Sequence, residues 1–443
     1  MKLSSLAGAI ALLLFVNIVK VANAQDELIS LEQVIALALE KNYDIRVLQN
    51  SATSAEIDKK LSVGAFFPVI NANGSRLWNN NNQKQKLANN TEVERKGIES
   101  NNLSGSVQLT WLLFDGARMF ATLERLAQIK EQGELNVKDQ MINTIAQVIN
   151  NYYNIVRQKQ QLNAIREQML VSEERVRLAD RRLQVGTAAK PELLQAKVDL
   201  NSQRTSVIQQ EAIILQLKDQ LNGLVSMQLP ARYDVSDSIV IDLNLKEDQI
   251  AQNIENTNFS LLSSKKQMEI AALSLRERKG ERYPFINFNS AYNYSKTENT
   301  VAINPFTPLF NQNNGYNYGF SLNFPIINGF INRRNIQQAR INIDRQSLLY
   351  EQEKITVNVG VKNAYVNYDN AKKVLLIEEE NILLAKENLT ITLETFKRGA
   401  TTFIELRTAQ QSLADAYNRL INARFLAKLA ETELLRLNGS LLD

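Results

Sequence analysis

The sequence predicts an α+β membrane protein: long antiparallel α-helices in a coiled-coil arrangement, joined to a transmembrane β-barrel that is shared between subunits, with four strands from each protomer. Three observations carry that expectation. The chain repeats itself once, its apolar residues keep heptad spacing over very long segments, and four short segments alternate between apolar and polar residues.

The repeat is an ordered series of echoes. FFPVINANGS from Phe66 returns as RYPFINFNSA from Arg282, so Pro68 and Pro284 stand 216 positions apart. Asn42-Tyr43 answers Asn258-Phe259 at the same spacing, and Leu221-Asn222-Gly223 answers Leu437-Asn438-Gly439. Between them, Phe114-Asp115-Gly116 matches Ile327-Asn328-Gly329, Gly186 matches Gly399, and Glu192-Leu193 matches Glu405-Leu406, all at 213. A signal peptide is expected over 1–24, where Lys2 precedes an apolar run that ends in Ala22-Asn23-Ala24. The first repeat is expected over 25–240 with strands near 66–78 and 103–114, and the second over 241–443 with strands near 284–295 and 315–325. Each reads helix, two strands, very long helix, helical hairpin, helix.

Met141, Ile145, Val148, Tyr152 and Ile155 form a heptad seam inside a helix expected from Ala117 to Val185, which at this length reaches on the order of 100 Å. Leu193, Leu200, Val207, Ile214 and Leu221 recur at every seventh position, as do Leu406, Leu413, Leu420, Ala427 and Leu434. Gly186 and Gly399 fit the left-handed position just past a helix end, with Pro191 or Thr402 opening the returning helix. None of the seven prolines falls in a helix interior.

In LSGSVQLTWLL the residues Leu103, Val107, Leu109, Trp111 and Leu113 oppose Ser104, Ser106, Gln108 and Thr110. Phe288, Tyr292 and Tyr294 similarly oppose Asn287, Asn289 and Asn293, and Tyr316, Tyr318 and Phe320 oppose Asn317 and Ser321. Such strands suit lipid on one side and water on the other, with Trp78, Trp111, Tyr294 and Tyr316 expected as interface aromatics near the strand ends. WNNNNQKQKLANN is expected as an outward polar loop. Four strands cannot close a barrel, so a dimer with about eight strands or a trimer with about twelve is required.

Composition excludes other functions. The chain has no cysteine and no histidine, which removes thiol chemistry and the commonest transition-metal ligands. Its formal charge of +4 includes Lys2 and Lys20 of the signal, so the mature chain offers nucleic acid no electrostatic footprint. No carboxylate lies in a nucleophile-and-base pattern, so no enzyme and no cofactor is expected. A structural coiled-coil protein of the envelope is the alternative, and the four alternating strands argue against it, since a rod needs none.

ISLEQVIALALEKNYDI, the WLLFDG and FPIING strand-to-helix turns, the VGT-to-ELLQA hairpin and the repeat together resemble the TolC family of outer-membrane efflux proteins from about Ile29 to Gly439. The resemblance implies a homotrimer in the cell outer membrane, its β-barrel continued through the periplasm by an α-helical coiled-coil barrel. It further implies a passive exit duct of a tripartite efflux or type I secretion system, joined by a periplasmic adaptor to an inner-membrane transporter. By the same resemblance Glu192 and Glu405 ring the periplasmic pore aperture, and the hairpin tips at Gly186 and Gly399 meet the adaptor. The sequence departs from relatives that carry a second acid one helical turn later, where Thr408 stands.

Overall fold

The computed structural model describes residues 27–86, 88, 90–187, 189–230, 232–302 and 308–442, so the expected signal peptide and Pro305 lie outside the described residues. Strand β1 (Glu27–Leu28) is followed by helices α1 (Leu31–Lys41) and α2 (Tyr43–Leu61), strands β2 (Val69–Lys86) and β3 (Glu92–Phe114), and helices α3 (Arg118–Gln184) and α4 (Lys190–Leu224). The second repeat opens on β4 (Tyr233–Asp234) and two short helices, α5 (Glu247–Ala251) and α6 (Ile254–Thr257). It continues with α7 (Phe259–Gly280), β5 (Phe285–Asn299), β6 (Phe310–Asn323), α8 (Ile331–Lys397) and α9 (Phe403–Asn438). The two long helices have 67 residues each.

Contacts divide the described residues into two units, one within 27–50, 135–262 and 352–442, the other within 51–134 and 263–351. The first is helical, with the parallel pair β1–β4 beside the helices. Leu375, Ile382, Leu389 and Phe396 on α8, seven residues apart, bury against Leu406, Leu413, Leu420 and Ala427 on α9; the α9 stripe is the expected heptad, and the structure adds a matching one on α8. Ile145, Val148, Tyr152 and Ile155 on α3 bury with Ile214 and Leu221 of α4 and Val34 and Ala38 of α1.

The repeat is also a repeat of hydrogen bonds. Asn42 is buried at the break between α1 and α2; its amide donates to the Leu224 carbonyl at 2.9 Å and its Oδ1 accepts the Asp44 N–H at 2.9 Å. Asn258, equally buried, donates to the Leu437 carbonyl at 3.0 Å and accepts the Leu261 N–H at 2.9 Å. Each asparagine starts a helix and fixes the far end of a partner helix. Asn258→Ala strands a buried carbonyl and a buried N–H, so urea unfolding should show a loss of about 2 kcal/mol, with a similar loss for Asn42→Ala.

Tyr152 and Tyr368 are a further pair, at the same spacing of 216, that the sequence reading passed over. The Tyr152 hydroxyl donates to the Ile29 carbonyl at 2.9 Å and accepts the Ser236 N–H at 3.1 Å. The Tyr368 hydroxyl donates to the Asp242 carbonyl at 2.7 Å and accepts the Leu245 N–H at 3.3 Å. The segment joining the repeats is thus pinned to both long helices.

The second unit holds one antiparallel sheet in the order β2-β3-β5-β6. Its strands run further than the sequence suggests, which corrects the expected limits. A turn of 3-10 helix occupies Ser62–Phe66, so β2 starts at Val69 instead of 66 and continues to Lys86 through the asparagine-rich stretch expected as a loop. β3 starts at Glu92 instead of near 103, and β5 and β6 reach Asn299 and Phe310. Asparagine has low intrinsic strand preference, but a continuous backbone ladder and cross-strand pairs such as Lys84–Glu92 at 3.3 Å override it.

Register decides which residues share a face. One face carries the row Ile70, Leu109, Ser290, Tyr318 and the row Ala72, Val107, Tyr292, Tyr316; the other carries Asn71, Gln108, Ala291, Asn317 and Asn73, Ser106, Asn293, Gly315. Two polar groups on the apolar face are paired within the chain: the Trp111 indole donates to the Phe66 carbonyl at 2.9 Å, and the Ser290 hydroxyl to the Asn317 carbonyl at 3.0 Å. On the polar face, side chains bond across strands, as between the Ser75 and Ser104 hydroxyls at 2.8 Å. Pairing such groups within the sheet lowers the cost of placing this face against lipid. Among the described residues, both edges of the sheet, β2 and β6, lack a second strand neighbour.

Candidate functional site

All four strand ends that lead into helices lie at one end of the sheet, and the β2–β3 and β5–β6 connections lie at the other. Among the candidate aromatics, Trp111 stands near the helix-side end of β3, whereas Trp78, Tyr294 and Tyr316 lie in strand interiors. Their expected placement near strand ends is corrected accordingly, because the strands continue beyond the apolar band. All four side chains share the apolar face, where rows of Trp111 with Phe288 and of Gly105 with Tyr294 bracket the band. Beyond it stands the row Arg76, Leu103, Lys296, Gln312 and then Trp78, Asn101, Glu298, Phe310. The Arg76 guanidinium lies over the Trp78 ring at 4.8 Å and Lys296 over Phe310 at 5.5 Å, so cations and aromatics border the apolar band together.

The hairpin ends are built alike in both repeats. Gly186 has φ +77° and Gly399 has φ +76°. The Thr187 N–H reaches the Arg182 carbonyl at 2.8 Å while the Gly186 N–H reaches Leu183 at 3.1 Å, and Ala400 to Thr395 with Gly399 to Phe396, both at 3.0 Å, repeat the motif. A Cβ at either glycine would meet open space, so the backbone angle alone asks for glycine there.

The two acids near these turns differ in setting. Glu405 closes a capping box: its carboxylate accepts the Thr402 N–H at 2.8 Å and the Thr401 hydroxyl at 2.5 Å, while its own N–H reaches the Thr402 hydroxyl at 3.2 Å. The Thr401 hydroxyl and then the Thr402 backbone hold this carboxyl below the usual carboxylate range. A folded value below the unfolded one means that the cap contributes above the unfolded pKa and is lost as pH falls through the folded one. Acidification should therefore lower the protection factors of the Thr402 and Glu405 amides, measured against the intrinsic exchange rate at each pH, before it affects the rest of α9. Glu192, in the first turn of α4, faces the Arg182 guanidinium at 3.8 Å with a side chain only 22 % exposed. Arg182 in turn lies over the Phe396 ring at 4.9 Å, tying the α3–α4 hairpin to α8.

A buried polar cluster escaped the sequence reading. Arg175 on α3, 3 % exposed, donates to Asp199 Oδ2 on α4 at 2.9 Å and to Gln410 Oε1 on α9 at 2.7 Å, and its guanidinium lies over Phe403 at 4.6 Å. Gln410 Nε2 donates to the Gln168 carbonyl at 3.1 Å and the Ser172 hydroxyl at 2.9 Å. Gln168, Ser172 and Arg175, all buried, keep a spacing of four and three with polar residues, out of phase with the Met141–Ile155 seam. Such a cluster fixes helix register. Removing the cation by Arg175→Ala leaves Gln410 Oε1 without its donor and leaves Asp199 only the Arg407 guanidinium at 3.4 Å and the Gln195 amide at 2.8 Å, and chemical denaturation should show a loss of about 3 kcal/mol.

No helix among the described residues is long and apolar enough to cross a membrane, and no group of acids there could hold a metal ion. A two-faced sheet that leads into 67-residue helices in each repeat defines an outer-membrane channel protein. The family model for outer membrane efflux proteins matches residues 34–226 and 250–440, and the chain belongs to that family. Solved structures share the fold at low identity. The outer-membrane channel OprN superposes with a TM-score of 0.77 at 15 % identity, covering 93 % of this chain and 90 % of the other. The CmeC outer membrane channel of Campylobacter jejuni gives 0.75 at 16 %, covering 93 % and 85 %, and the outer membrane protein VceC of Vibrio cholerae gives 0.73 at 13 %, covering 92 % and 96 %. No curated protein matches the sequence significantly. The protein is accordingly an efflux channel of the outer membrane, passive and not an enzyme.

Proposed function

We propose that three copies assemble into one exit duct, a twelve-stranded barrel continued by the helices, which receives cargo from an inner-membrane transporter through a periplasmic adaptor. The observation that carries this reading is the four-stranded sheet with one lipid-compatible face and two open edges. An open edge in lipid leaves backbone groups unpaired, so the edges of neighbouring copies must close one another. Exposed apolar stripes support assembly along the helices as well: Ile355, Val359, Val366, Ile377, Leu384 and Ile391 on α8, and Leu194, Val198, Ile208 and Leu215 on α4, are each at least half exposed. The hairpin tips at Gly186 and Gly399 are the proposed adaptor contact, and Glu192 and Glu405 the proposed acids of the pore aperture.

The test is native mass of the detergent-extracted protein together with ion current in a planar bilayer. A trimer that conducts is expected; a water-soluble monomer without current defeats the proposal. Glu192→Gln combined with Glu405→Gln should weaken cation preference and divalent block. Glutamine still closes the capping box at position 405, so a change in selectivity is read free of a lost helix cap. Unchanged selectivity would remove both acids from the aperture.

A further inference from the structure

The polar face of the sheet has an unusual content. On its rows between Val69 and Asn79 of β2, and on the residues that these rows pair with in β3, β5 and β6, there is no Asp, Glu, Lys or Arg. Asparagine, serine, threonine, glutamine and glycine occupy nearly all of it. Charge is not missing from the neighbouring positions: Arg76, Glu99, Lys296 and Glu298 all stand on the opposite face, beyond its apolar band. Solvation alone would sort charged side chains to the water side, so their exclusion from it is a property of this wall and not of a charge-poor segment.

We infer that the outer-membrane section of the duct is electrically neutral along its water-facing wall and discriminates neither cations nor anions. The inference rests on the shared-barrel reading above. In a barrel, each charged position recurs once per copy, so even one residue type would make a ring that concentrates counter-ions. Amides and hydroxyls instead offer donors and acceptors together, and exchange hydrogen bonds with a polar cargo of either sign. The cargo class that this exit admits is therefore hydrated, polar solutes irrespective of charge, and any ion preference of the whole channel is set in its helical section.

The chain contains no cysteine, so single thiols can be placed without background. Asn73→Cys and Asn293→Cys, which share one row of the polar face, are each reacted with cationic trimethylammonioethyl and anionic sulfonatoethyl methanethiosulfonate in the intact bilayer-inserted channel. Ion current is recorded throughout. The ratio of the two rates, divided by the same ratio for a free thiol, is expected to lie within about threefold of unity. A larger displacement in either direction at both positions overturns the inference. Failure of both thiols to react while Val107→Cys on the other face does react also overturns it, since the faces would then be reversed. Equal, rapid reaction that leaves the current unchanged would instead defeat the reading that these strands line the conducting path.

Discussion

Gly116→Ala should cost more than about 3 kcal/mol, whereas Gly329→Ala, the same substitution at the equivalent position of the second repeat, should cost about 1 kcal/mol. Both glycines sit in strand-to-helix turns with left-handed backbone, φ +76° and +62°, and each is followed by a second left-handed residue, Ala117 at +64° and Phe330 at +63°. The conformational penalty for a side chain is therefore similar in the two turns. The surroundings are not. A Cβ on Gly116 would lie 2.2 Å from the Gly280 carbonyl oxygen and 3.0 Å from the Tyr283 Cβ, while one on Gly329 meets nothing within 4 Å. At the first turn, backbone at the end of α7 crosses directly over the glycine, and neither chain can yield without breaking the α7-to-β5 connection. Thermal unfolding of the folded, detergent-solubilised protein would separate the two variants. Equal midpoint losses would show that the Gly280 backbone moves aside and that only the dihedral penalty remains.

The same pair shows what could be read in the sequence. Phe114-Asp115-Gly116 and Ile327-Asn328-Gly329 mark equivalent turns by their letters, and the two-fold plan, the long helices and the α9 heptad follow from spacing alone, because helix periodicity is a local property. Which glycine is crowded depends on a residue 164 positions away, and no local pattern records it. Strand limits were illegible for a related reason. Asn79 to Lys86 looks like a loop by composition, and becomes strand because β3 lies alongside to pair with it. Arg175 was hidden because its polar row lies out of phase with the Met141–Ile155 seam. For the two acids near the hairpin turns, equivalence in the repeat was legible and setting was not: Glu192 and Glu405 both stand in a first turn, yet only Glu405 caps its helix, since Thr402 stands where the first repeat has Ala189.

Val107→Arg should abolish membrane assembly, and Gln108→Arg, one residue further along the same strand, should leave assembly intact and shift the ion preference of the channel towards anions. The contrast follows from register. Val107 pairs with Ala72 and Tyr292 in the middle of the apolar face, and Gln108 pairs with Asn71 and Ala291 on the polar one. A guanidinium on the lipid side of a β-barrel near the membrane centre costs about 2–4 kcal/mol per copy, and no neighbour in its row could pair with it, since Ala72, Tyr292 and Tyr316 carry no charge. At position 108 the same side chain reaches water on a wall that contains no other charge, so its full field acts on the permeating ions. Heat-modifiable migration reports assembly, and reversal potential in asymmetric salt reports ion preference. If Val107→Arg assembled as well as Gln108→Arg, the apolar face would not lie in lipid, and the sheet would have to be covered by protein.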